Sequence, residues 1–141
     1  YEWQAPASGS GPRQPWLLRL RAEAARPFAF AGLWTRRPHP ECPGAVLDSV
    51  AILTMPTPPE FSDIHGRSPL VPVEEDWARW LDPRTPPPPW PSSQLRPVPA
   101  DAIEAWPVSR RVNRVENDDP GLIAPLMGGA RMPSGDLFED R

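Results

Sequence analysis

A chain of 141 residues allows one ordinary domain or part of one. Its single cysteine excludes an internal disulfide, no apolar run reaches membrane-spanning length, and a net charge of −3 neither requires nor excludes nucleic acid, because a local arginine patch acts inside an acidic whole. The 24 prolines and 9 glycines approach the range of disordered chains, but 7 tryptophans and 39% hydrophobic residues argue for a folded domain with long proline-rich loops.

The chain opens at YEW without an initiator methionine, which reads as a cut inside an aromatic cluster. Residues 5–15, APASGSGPRQP, read as a loop. PWLLRLR then alternates with a period near two and predicts a strand over residues 15–21. Residues 22–27 read as a turn. FAFAGLW, Phe28 to Trp34, is short and apolar and predicts a buried strand, since Gly32 and the length both disfavour a helix.

SVAILTM, Ser49 to Met55, predicts another strand, ended by PTPPEF. A turn, SDIHGR, follows, and Pro69 to Val73 reads as a brief strand. EEDWARWL, Glu74 to Leu81, predicts the best helix. Acids occupy its first turn, and Trp77, Trp80 and Leu81 share one face until Asp82-Pro83 stops it. Residues 82–99 form a proline-rich loop of polyproline II character. Trp106 to Val115 predicts a strand broken by a bulge or turn, NDDPG a turn, and LIAPL a segment that packs back on the core. The glycine-rich, charged residues 127–141 read as a disordered tail.

Few side chains here carry chemistry. His39 and Cys42 in HPEC have zinc-like spacing, but the chain holds too few Cys and His residues for a structural site, so no metal is expected. PPPPWP suits an SH3 or WW domain, with a plain spacer the preferred reading. Arg110, Arg111 and Arg114 form a basic cluster that could hold phosphates or simply face solvent. His65 lies in a loop, where chemistry tends to sit, with Arg67 two residues on. Glu2 is a carboxylate between Tyr1 and Trp3, surroundings that suit an acid or base. Spacing alone does not connect Glu2 to His65.

Taken in order, YEW, FAFAGLW, AILT with DIHGRSPLV and WARWLDP, and PVSRRVNRVENDDPGLIAP resemble the C-terminal part of the SRAP domain, the SOS response-associated peptidase or abasic site processing family. The resemblance runs from Tyr1 to about Pro125. It implies a β-rich α+β fold with few short helices, residues 1–126 forming the C-terminal portion of the domain and its N-terminal part missing. It also implies a role at abasic sites in single-stranded DNA. There a cysteine that has become N-terminal forms a Schiff base with the sugar aldehyde through its amine, and its thiol closes a thiazolidine. By position, Glu2 would assist the Schiff-base chemistry, His65 sugar ring opening and crosslink reversal, and Arg67 would grip DNA phosphate. A histidine titrates near neutrality, which suits such proton transfer.

Gly66 stands where an acidic residue is common, and the Met-Cys-Gly start of the family is not in the sequence. Cys42 does not replace that nucleophile, because its nitrogen is a peptide amide. The chain alone is therefore expected to make no stable crosslink. The expectation is an acid–base half-site, Glu2 and His65, with Arg67 and the weaker Arg110, Arg111 and Arg114 contacting DNA. No cofactor is called for, and a cytoplasmic monomer is expected. The alternatives are a non-catalytic single-stranded-DNA-binding module and a proline-rich interaction module. Peptidase activity is implied only as removal of the protein's own N-terminal residues. Without partner strands, FAFAGLW and SVAILTM should show unpaired edges and exposed apolar faces.

Overall fold

The computed structural model describes residues 1–21, 27–84 and 95–127. The expected turn at 22–27 (apart from Pro27), most of the proline-rich loop and the tail beyond Met127 lie outside them. The described residues fall into two compact units, one drawn from Tyr1–Arg26, Pro56–Arg67 and Pro99–Arg141, the other from Pro27–Met55 and Ser68–Val98.

The first unit is built on a three-stranded antiparallel sheet of order β1-β2-β7, with β1 at Glu2–Gln4, β2 at Gln14–Leu20 and β7 at Ile103–Pro107. The alternation in PWLLRLR thus forms the central strand. Register pairs Glu2 with Trp16, Trp16 with Pro107 and Arg19 with Glu104. The last pair carries opposite charges, with Arg19 Nε 2.6 Å from Glu104 Oε1 and its guanidinium over the Trp106 ring. Trp16, Phe61, Ile64 and Ala105 form the core, with Leu18, Ala100 and Ile103 against it.

The strand expected over Trp106 to Val115 is corrected. It runs earlier, at Ile103–Pro107, and Arg110–Asn113 is a 3-10 helix. The Ser109 side chain, at the N-cap, accepts from Arg111 N–H and starts the helical turn instead. NDDPG leads into a second 3-10 turn, Pro120–Ile123. LIAPL returns to the first sheet through hydrogen bonds, but it does not pack into the core as expected, with Ile123, Ala124, Pro125 and Leu126 all exposed. Leu126 N–H donates to Pro107 C=O, and Trp106 Nε1–H donates to Ile123 C=O.

In the second unit, β3 at Gly32–Pro38 and β4 at Val46–Ile52 form an antiparallel hairpin. Its turn uses Gly44 at φ 84°, a left-handed conformation that favours glycine. Both apolar runs are shifted from expectation. Phe28 and Phe30 precede the strand and are exposed, and β3 continues through TRRP. The charged residues fit a strand because Arg36 faces Asp48, with Nε 2.7 Å from Oδ1. SVAILTM is split by Leu53 into β4 and β5, Thr54–Pro56. The brief strand expected at Pro69 to Val73 lies at Arg67–Pro69 instead, as β6, and it pairs with β5.

Leu53, Ala31 and Leu70 hold one another through backbone hydrogen bonds. Ala31 and Leu70 join Leu95 in the second core, against which Leu53, Met55 and Trp80 pack. The predicted helix starts as a 3-10 turn, Glu74–Asp76, and becomes α1 at Trp77–Leu81. Leu81 is exposed despite its place on the apolar face. The two apolar runs pair with each other, so each has one partner edge. Their faces are open, however, with Trp34 71% and Val50 74% exposed. Among the described residues, no helix is long and apolar enough to cross a membrane.

Candidate active site

The site lies in the first unit, where Glu2 and His65 come together. Glu2 is on β1, and its carboxylate is partly covered, at 24% side-chain exposure. His65 is placed by its neighbours. The 3-10 turn Pro59–Phe61 sends Phe61 into the core, and Ile64, three residues on, follows it. Ile64 N–H donates to Phe61 C=O at 3.0 Å, which closes the turn. His65, next in sequence, is left at the surface with 47% of its side chain exposed. Thr57 N–H bonds Gly66 C=O and seals the base of the loop. A Cβ at Gly66 would meet nothing within 4 Å, so the departure from an acidic residue there imposes no packing change on the loop.

His65 Nδ1 lies 2.5 Å from the Arg67 carbonyl oxygen. A carbonyl only accepts, so the shorter contact favours the Nδ1–H form, which leaves the Nε2 lone pair available; the Arg67 N–H, 3.4 Å from the same nitrogen, is the partner in the other tautomer. Glu2 Oε2 is 3.8 Å from the same Nδ1. That is within ion-pair range but too long for a hydrogen bond. The carboxylate can thus stabilise a protonated imidazole while Nε2 takes up or delivers the proton. Arg67, two residues on, is exposed.

The other arginines differ from one another. The Arg111 guanidinium donates to Asp119 Oδ2 at 2.5 Å, and Asp119 also accepts from Gly121 N–H, so Arg111 clasps the C-terminal turns. Arg110 donates to the Pro12 carbonyl at 3.3 Å, and Arg114 is exposed. Their segment is tied to β1 by Trp3 Nε1–H, which donates to Asn113 Oδ1 at 2.8 Å.

Two contributors escape a reading of the sequence, Asn113 and Gln4. Both act through contacts between residues far apart in the chain. For Gln4 the one local signal is its place two residues past Glu2, on the same strand face. In the second unit, His39 Nδ1 accepts from Glu41 N–H within the hairpin turn that also carries exposed Cys42. Among the described residues no group of three or more His, Cys, Asp or Glu side chains is placed to hold a metal ion.

The site thus sets an exposed imidazole beside a partly covered carboxylate on a β-rich α+β frame, an arrangement able to pass a proton at the protein surface. The chain belongs to the SOS response associated peptidase (SRAP) family, whose model matches residues 1–115. It is similar to the abasic site processing protein YoqW of Bacillus subtilis (strain 168), at 34% identity over 123 residues, covering 87% of this chain and 52% of that protein. It is likewise similar to YobE of the same organism, also named an abasic site processing protein, at 33% identity over 116 residues, covering 82% of this chain and 50% of YobE. The chain thus spans about half the length of the curated relatives it matches. A crystal structure of a protein from Bacteroides thetaiotaomicron shares the fold, with a TM-score of 0.67 at 19% identity, over 89% of this chain and 52% of that one.

Proposed function

We propose that this chain supplies the acid–base half of a site that crosslinks covalently to abasic sites in single-stranded DNA. The observation that carries the reading is the meeting of Glu2 and His65, whose side chains approach to 3.8 Å from segments far apart in sequence. The names of the relatives, which are abasic site processing proteins, point the same way.

On this reading an abasic sugar sits against the exposed Nε2 edge of His65. Protonated His65 delivers a proton to the ring oxygen as the C1′–O bond breaks, the anomeric hydroxyl gives up its own proton to water to become the aldehyde, and Glu2 offsets the imidazolium charge. Glu2 then handles proton transfer as an amine adds to the aldehyde and water leaves to give the imine. Closing a thiazolidine needs an amine and a thiol on one residue. The nitrogen of Cys42 is in a peptide bond, so the nucleophile is a terminal cysteine such as the family carries in its N-terminal part. Arg67 binds phosphate and fixes the strand without reading sequence.

The test uses the full gene product and three oligonucleotides: one with an abasic site, one intact, and one with a tetrahydrofuran analogue that lacks the aldehyde. A denaturing gel should show an adduct with the first alone. Salt-sensitive binding with no adduct on any of the three would replace this reading with that of a non-catalytic DNA-binding module.

A further inference from the structure

We propose that Gln4 is a positioning residue that sets the spacing between Glu2 and His65, an inference that rests on the acid–base reading above. Glu2 and Gln4 alternate along β1, so their side chains leave the strand on the same face. The amide of Gln4 is engaged at both ends. Its Nε2 donates to the Asp63 carbonyl at 3.0 Å, and its Oε1 accepts from Trp16 Nε1–H at 3.0 Å. Asp63 lies two residues before His65, and Trp16 packs in the core with Phe61 and Ile64.

One side chain therefore ties the strand that bears Glu2 to both the loop that bears His65 and the core beneath it. That tie matters because β1 is only three residues long and lies at the edge of its sheet, where β2 is its neighbour. A strand that short gains little positional precision from its own ladder. The chemistry of the residue is specific too. The position needs a donor for Asp63 C=O and an acceptor for Trp16 Nε1–H on one planar group. A carboxylate supplies only the acceptor, a thioether only a weak acceptor, and asparagine is a methylene too short to span the same gap.

Gln4→Met removes the donor and keeps the side-chain length, and Gln4→Glu removes the donor while keeping the Trp16 half of the clamp, which protects the fold. In crystal structures of both variants the gap from Glu2 Oε2 to His65 Nδ1 should open beyond 3.8 Å. In the full gene product, single-turnover crosslinking to an abasic oligonucleotide should fall roughly 10- to 100-fold, the scale expected of a displaced catalytic group. Affinity for the tetrahydrofuran oligonucleotide should stay within about twofold, because no phosphate contact is touched. In a Glu2→Gln background, Gln4→Met should cause no further loss, since both changes act on the same pair. An unchanged gap, or losses that multiply in the double variant, would overturn the positioning role. A widened gap with an unchanged rate would instead overturn the acid–base reading of the pair itself.

Discussion

Ile64→Ala tests the anchoring of the His65 loop. Ile64 is 3% exposed and packs in the core cluster with Trp16, Phe61 and Ala105. The change removes roughly three CH2-sized groups at about 0.8 kcal/mol each, or about 2.4 kcal/mol of transfer free energy. The cavity left behind adds to this, because strands β2 and β7 fix two of its walls. The expected loss is about 3 kcal/mol, inside the range of about 2–5 kcal/mol for such truncations. A domain stable by about 5–15 kcal/mol survives that loss. Urea unfolding followed by tryptophan fluorescence reads it directly, with Trp16 in the same cluster as a reporter. Gly66→Ala is the control, since nothing lies within 4 Å of the added Cβ. A loss under about 1 kcal/mol for Ile64→Ala, no larger than an average substitution, would refute the claim that burial of this residue holds the loop.

Asp76 is buried, and it accepts from the Arg96 backbone N–H at 3.0 Å and from the Arg96 guanidinium at 3.3 Å. These bonds hold its carboxyl below the usual carboxylate range. A folded value below the unfolded one of about 3.9 means that the stabilisation is present above that pH and fades as pH falls through the folded value. Below about pH 4 the urea midpoint should therefore drop more steeply for the wild type than for Asp76→Asn, and equal slopes would contradict this. Trp34 and Val50 are directly paired and both largely exposed, so Trp34→Ser with Val50→Thr should shift stability by no more than about 0.5 kcal/mol. The same pair of changes should lower binding of a hydrophobic dye and self-association in gel filtration. A Cβ at Gly121 would lie 2.8 Å from Asp119 Oδ1, so Gly121→Ala should push the Asp119 cap aside at a cost of about 1 kcal/mol, read by thermal unfolding.

Local signals located the elements better than their limits. PWLLRLR became a strand because its alternation met a partner on each side, Trp3 to Pro15 and Leu18 to Ala105 among the pairs. FAFAGLW misled because apolar content says nothing about register. The hairpin pairs Gly32 with Ile52 and Pro38 with Val46, which carries the strand into charged residues whose partners lie across the ladder. SVAILTM looked continuous, but Leu53 leaves the strand to bond Ala31 and pack against a core from which its flanking residues Ile52 and Thr54 are turned to solvent. For the candidate site, Glu2, His65 and Arg67 were linked through the resemblance of their motifs to a family, since spacing alone does not connect them. Their geometry was not legible, because it depends on Phe61 and Ile64 being drawn into the core and on the reach of Gln4 across 59 residues of sequence. The same holds for Arg111, whose pairing with Asp119 arises from a turn and not from the basic cluster it seemed to belong to.

The most direct measurement is the rate of crosslink formation and of its reversal, on a single-stranded oligonucleotide with one abasic site, for the full gene product and its His65→Ala and Glu2→Gln variants. If Glu2 and His65 are the acid–base pair, His65→Ala slows reversal, and both variants slow formation, by roughly 100-fold or more, the scale of general acid–base catalysis. Wild-type rates for His65→Ala in both directions would contradict the account.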